Sequence, residues 1–207
     1  MQFTHYSFLF LFLFSLLLQS ITAFQSSKTL DEFIKKSCQV SRYSELCYSS
    51  LSSSYTGDPD LGKLSYAAIR ISLDQALDTA HYVDETSTSS KTSTSSSSSS
   101  GAEELVSVRD CMELSKDAVH QVKKSLDQMA RVLREDEVEN SRKRRFEMSN
   151  VQTWMSAAIT DQDTCVDGFS QVHGGKLQNQ LTAKVEMLLK FISNALALVN
   201  YFVQSSH

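Results

Sequence analysis

The chain has 207 residues, with 20 Lys and Arg against 24 Asp and Glu, six Gly, four Cys and a single Pro. These counts exclude collagen-like, Pro-rich and basic nucleic-acid-binding chains. So few glycines and prolines cannot punctuate a sandwich or barrel, and neither GxGxxG nor GxxxxGK[ST] occurs, so the expectation is an all-α protein.

The N-terminus carries an apolar run from Phe8 to Leu18, interrupted only by Ser15 and followed by Ile21-Thr22-Ala23. It is shorter than the roughly 20 residues of a membrane span and ends in small residues, so residues 1–23 read as a signal peptide cut after Ala23. No charged residue is lost with it, and residues 24–207 keep the formal charge of −4. That balance argues against nucleic acid and for simple solubility or a basic protein partner. Four cysteines in a secreted chain imply two disulfides, with three possible connectivities.

Residues 28–56 show Leu30, Phe33, Ile34 and Cys38, then Leu46, Cys47 and Leu51, which is helical spacing on both arms of an α-hairpin. Four amphipathic helices follow, expected over 61–86, 101–134, 144–173 and 176–203. Their stripes are Ile69, Leu73, Ala76, Ala80, Val83; then Leu105, Val108, Met112, Ser115, Val119, Val122, Leu126, Met129, Leu133. The third runs Met148, Val151, Met155, Ala158, Gln162, Cys165, Phe169, Val172, and the fourth Leu177, Leu181, Val185, Leu188, Ile192, Ala195, Val199, Phe202. Such long narrow stripes pack as a bundle. Val185 to Val203 also contains Glu186, Lys190, Asn194 and Asn200, so it reads as a core helix rather than a span.

Residues 87–100, almost pure Ser and Thr, have little to bury and read as a disordered loop. Glu135 to Glu139 and Arg142-Lys143-Arg144-Arg145 form a charged turn, and Gly174-Gly175 stops the third bundle helix. Short connections favour antiparallel neighbours and hence an up-and-down four-helix bundle. In such a pair, residues equally far from the turn face each other. Position 138 lies midway between Cys111 and Cys165, inside the charged turn, and Arg42-Tyr43 lies midway between Cys38 and Cys47. The pairing Cys38–Cys47 with Cys111–Cys165 is consistent with both constraints. No CxxC, HExxH or clustered His spacing offers a metal site, and no cofactor motif is present.

Three segments carry a resemblance. Cys38-Gln39-Val40-Ser41-Arg42-Tyr43-Ser44-Glu45-Leu46-Cys47 is similar to a C-x-x-T-x-Y-P-x-x-C hairpin, with Ser41 in place of Thr and Ser44 in place of Pro. Arg109-Asp110-Cys111-Met112-Glu113-Leu114, with Asp117-Ala118-Val119, is similar to a D-C-x-E…D-A-V segment. The longest match is Thr153-Trp154-Met155-Ser156-Ala157-Ala158 through Asp163-Thr164-Cys165-Val166-Asp167-Gly168-Phe169. Together these resemble the plant invertase and pectin methylesterase inhibitor family over nearly all of residues 24–207. The resemblance implies a four-helix bundle preceded by an α-hairpin, with the same two disulfides.

It also implies a secreted, apoplastic inhibitor of pectin methylesterase, binding its enzyme one-to-one over the substrate cleft. The third segment is nearer to those inhibitors. The alternative partner is an acid invertase, but invertase inhibitors typically carry Pro-Lys-Phe where this chain has Arg145-Phe146 without proline. The enzyme reading finds no G-x-S-x-G, no paired catalytic carboxylates and no metal-ligand cluster.

Candidate partner-binding residues are Asp74, Asp78, His81 and Glu85 on the first bundle helix and Lys116, His120 and Lys123 on the second. The acidic strip suits a basic rim on an enzyme, and either histidine can tune binding around pH 6; the plain alternative is a solvated helix face. The tetrabasic run fits a processing site, a patch for acidic pectin or an ion-pair partner of Glu135 to Glu139, and the neighbouring acids favour the last.

Overall fold

A computed structural model describes residues 28–93, 99–134, 141–170 and 176–205. The segment read as a signal peptide, residues 94–98 of the Ser/Thr tract, the acids from Glu135 to Glu139 and Gly174-Gly175 lie outside the described residues. Six helices account for nearly all of the rest, with no strand among the described residues. They are α1 (28–38), α2 (Ser44–Ser54), α3 (Leu61–Ser93), α4 (Ser99–Val132), α5 (Ser141–Ser170) and α6 (Lys176–Ser205). α3 packs on α4, α4 on α5, α5 on α6, and α6 closes back on α3, which is the up-and-down bundle.

Local chemistry explains several boundaries. Asp60 caps α3, its Oδ1 accepting from the Lys63 N–H at 2.7 Å. At Gly62 an added Cβ would come within 2.7 Å of Leu133 and 3.0 Å of Phe202, so this first turn of α3 sits close against the ends of α4 and α6. α3 then runs to Ser93, seven residues into the tract that composition assigns to a loop at 87–100. Two observations bear on the first turn of this extension. Thr86 and Ser87 are buried, and the Thr88 hydroxyl donates to the carbonyls of Asp84 and Glu85 at 3.1 and 2.8 Å. The Thr88 hydroxyl is thereby satisfied on the helix itself instead of competing with it, while the buried Ser87 hydroxyl has no partner. Small shifts also appear elsewhere: α4 starts at Ser99 rather than 101, α5 at Ser141 rather than 144, and α6 reaches Ser205.

The hairpin α1–α2 is closed by the Cys38–Cys47 disulfide, and Cys111–Cys165 ties α4 to α5. Where the resembled hairpin has Thr, the Ser41 hydroxyl donates to the Cys38 carbonyl at 2.8 Å. Where it has Pro, Ser44 opens α2 without a side-chain cap at Tyr43. The turn is held from outside instead: buried Asn194 of α6 donates to the Tyr43 carbonyl at 3.0 Å, and Lys190 lies 5.9 Å above the Tyr43 ring.

The buried side chains fall into two clusters along the bundle. The larger joins Ile34, Leu51, Leu64 and Ile69 to Val122, Met129, Val151, Met155, Ile192 and Leu198 at the hairpin end. The smaller contains Val83, Val108, Cys111, Cys165, Phe169, Leu181 and Val185 at the other end. Between them each of three helices places a polar residue: Thr79, Ser115 and Gln162, exposed by 1%, 1% and 0%. Gln162 Nε2 donates to the Leu114 carbonyl at 3.4 Å, while Gln162 Oε1 and the Ser115 hydroxyl have no partner.

α6 is long and apolar enough to cross a membrane by length and composition alone. Its apolar stripe, Leu181, Val185, Leu188, Ile192, Ala195, Val199 and Phe202, is buried against the other helices. The polar residues at Glu186, Lys190 and Asn194 therefore interrupt a core helix.

Candidate interaction surfaces

α4 and α5 form the most extensive helix pair, and its cross-links run along its whole length. Ser107 donates to the Gly168 carbonyl at 3.0 Å beside the Cys111–Cys165 bridge, and Gln162 bonds the α4 backbone at its middle. Lys124 lies 4.4 Å above the Trp154 ring, and Arg144 donates to the Val132 carbonyl at 3.3 Å at the end of α4. A covalently tied pair of this kind presents its outer surface with little freedom to lose on binding.

The outer face of α5 is lined by short hydroxyls. Ser149, Thr153, Ser156, Thr160 and Thr164 are all exposed at spacings of 3 or 4. Ser149 donates to the Phe146 carbonyl, Thr153 to Ser149, Thr160 to Ser156 and Thr164 to Thr160, at 2.7 to 3.2 Å. These four hydroxyls lie folded against the helix, and their oxygens still accept hydrogen bonds. The motif in this segment draws attention to Trp154, Cys165 and Phe169 and away from the strip. The recurring Ser and Thr at helical spacing are the signal that could have found it.

Of the residues expected to meet a partner, Asp74, Asp78, His81 and Glu85 all lie on the exposed face of α3. Asp78 is paired with Lys184 of α6, whose ammonium also lies 6.0 Å above the Tyr82 ring, and His81 is 3.5 Å from Glu85. Lys116, His120 and Lys123 are exposed on the face of α4 opposite its buried side, with Lys116 3.4 Å from Glu113. The fold thus gives two separate strips, an acidic one tied to α6 and a basic one on α4.

One carboxyl departs from ordinary behaviour. Asp161, half-buried between α5 and α4, has one oxygen, Oδ2, that is buried without a hydrogen-bond partner. Burial, and then the negative charge of Asp117 on α4, hold its carboxyl above the usual carboxylate range. Among the described residues no group of His, Cys, Asp and Glu is arranged to hold a metal ion.

A family model described as plant invertase/pectin methylesterase inhibitor matches residues 32–198. Among curated proteins, Pectinesterase inhibitor 9 of Arabidopsis thaliana is 35% identical over 208 residues, spanning 93% of this chain and 94% of its own. The "21 kDa protein" of Daucus carota is 32% identical over 184 residues, with 88% and 89% covered. A crystal structure of a mutant form of a pectin methylesterase inhibitor from Arabidopsis superposes with a TM-score of 0.58 at 13% identity, over 79% of this chain and 92% of that one. That likeness carries the fold alone.

Proposed function

Because the chain belongs to the plant invertase and pectin methylesterase inhibitor family, we propose that it is a secreted, apoplastic inhibitor of pectin methylesterase. It seats bundle helices over the substrate cleft of the enzyme, one-to-one, and so limits demethylesterification of cell-wall pectin. The observation that carries this reading is a full-length likeness at 35% identity to a relative named as a pectinesterase inhibitor. Inhibition by occlusion asks for no catalytic residue and no cofactor. It asks for a polar face that is already rigid, and the tied α4–α5 pair supports that requirement.

We place the contact surface on the hydroxyl strip of α5 together with Lys116, His120 and Lys123 on the exposed face of α4. Asp74, Asp78, His81 and Glu85 form a second, acidic contact strip. Uncharged, closely held hydroxyls let a helix approach the floor of a polar cleft, and the flanking charges set register and encounter rate.

Residual activity of a panel of plant pectin methylesterases, and of cell-wall and vacuolar acid invertases, should be titrated with the disulfide-bonded chain from about pH 5 to 7, the window in which histidine changes charge. Stoichiometric loss of methylesterase activity alone is the expected result. Loss of invertase activity would replace the enzyme named here, and no effect on either would remove the inhibitory reading. Thr153→Arg and Thr160→Arg, which place bulk and charge on the α5 strip, should each weaken inhibition by about tenfold or more while leaving the helical content intact.

A further inference from the structure

The four consecutive cations at the start of α5 divide into two pairs. Lys143 lies 3.7 Å from Glu147, and Arg144 reaches the Val132 carbonyl while its guanidinium lies 5.6 Å from the centre of the Phe202 ring. Lys143 is engaged within the first turns of α5, and Arg144 ties α5 to the ends of α4 and α6. Arg142 and Arg145 are exposed and make no hydrogen bond or ion pair among the described residues. Beside them Phe146 is 66% exposed, more than any other large apolar side chain described. Arg142, Arg145 and Phe146 share the outer strip of α5, immediately ahead of Ser149 and Thr153.

Folding does not account for this trio. Cations in the first turn of a helix oppose its dipole, and the first turn of α5 has no acidic residue to offset them. An exposed phenyl ring contributes nothing to the core.

We propose that Arg142, Arg145 and Phe146 bind an acidic polysaccharide, a chain of uronate rings. A guanidinium takes a carboxylate through two parallel hydrogen bonds, a geometry that ammonium groups do not reproduce. Two guanidiniums one helical turn apart, with Cβ atoms about 5–6 Å from each other, present a row of such forks to a polymer carrying one carboxylate per ring. The phenyl ring supplies a flat apolar surface for the C–H face of a pyranose. Further along the strip, the Ser149 and Thr153 oxygens accept hydrogen bonds from sugar hydroxyls. A chain of net charge −4 repels a polyanion overall, so attraction has to come from a local patch of this kind. An anionic membrane fits less well, because among the described residues Phe146 is the only exposed large apolar side chain on α5, and an inserting face requires several.

The site goes beyond the inhibitory reading and does not depend on it. Binding of the disulfide-bonded chain to polygalacturonate, to fully methylesterified pectin and to phosphatidylserine-containing vesicles should be measured by calorimetry or affinity electrophoresis over a range of salt. Polygalacturonate alone should bind, more weakly as salt rises. The double variant R142Q/R145Q should bind at least about tenfold more weakly and Phe146→Ala about threefold, with Lys35→Gln on α1 as an unaffected control. Circular dichroism checks that each variant keeps its helices. Undiminished binding by R142Q/R145Q, equal binding of methylesterified pectin, or binding to vesicles without binding to polygalacturonate would each overturn the proposal. Methylesterase inhibition is read separately on a short soluble substrate. Its absence in the unaltered chain would count against the inhibitor and leave this site standing.

Discussion

The two ends of the bundle are held together by different means. At the hairpin end a broad apolar cluster draws on every helix, and its disulfide, Cys38–Cys47, spans only 9 residues within the hairpin. At the far end a smaller apolar cluster surrounds Cys111–Cys165, which spans 54 residues and joins two bundle helices. A cross-link that closes a longer loop restricts the unfolded chain more, by about 1.5 kcal/mol for these two separations. The stronger staple therefore stands where apolar burial is least.

Four measurements bear on that difference. Replacing Cys111 and Cys165 by Ala should cost about 4 kcal/mol in urea unfolding. Hydrogen exchange should then show the first protection lost around Val108, Phe169 and Leu181, ahead of the hairpin end. Replacing Cys38 and Cys47 should cost less, about 2.5 kcal/mol, with protection lost in α1 and α2. Equal costs, or loss of protection at the wrong end, would erase the distinction.

The polar layer gives a third way to probe it. Gln162→Met removes the unpartnered Oε1 and keeps a side chain of similar volume, so the two clusters should merge into one core with a gain of about 1 kcal/mol. A loss instead would mean that the layer contributes to the register of the helices.

The smallest effect concerns Asp161. Its folded-state pKa is raised, so the folded chain holds that proton more tightly than the unfolded one. The resulting stabilisation is fully present below the unfolded carboxyl pKa of about 3.9 and is lost as pH rises through the higher folded value. Asp161→Asn should therefore raise the melting temperature at neutral pH, by less than about 4 °C, and change it little near pH 3. An identical shift at both pH values would show that charge is not involved.

Much of the fold could be read from the chain because α5 and α6 bury large side chains at regular spacing, and Met148 to Phe169 and Leu181 to Phe202 are buried as the stripes suggest. α4 is rotated from its stripe. Cys111, Ala118, Ser125 and Val132 are buried, whereas Met112, Val119, Leu126 and Leu133 are only partly covered. Small residues allow close helix approach but carry no hydrophobic signal. The same holds on α3, where Ser65 and Ser72 are buried with their hydroxyls donated to the carbonyls of Leu61 and Ala68. The proposed contact surfaces are less legible for a different reason. Exposed residues are not constrained by packing, so the charges on α3 and α4 could be placed on helix faces, but not that Asp78 is engaged by Lys184.

The Lys124–Trp154 contact has a practical consequence. Trp154 is the single tryptophan of the chain and lies, partly covered, where α4 meets α5 beside the hydroxyl strip. With selective tryptophan excitation, its fluorescence is the chain's own single-site signal from that seam, free of any attached dye and read after subtraction of the partner's emission. Emission and quencher access during a titration can therefore report in real time whether a partner has landed on this side of the bundle or somewhere else.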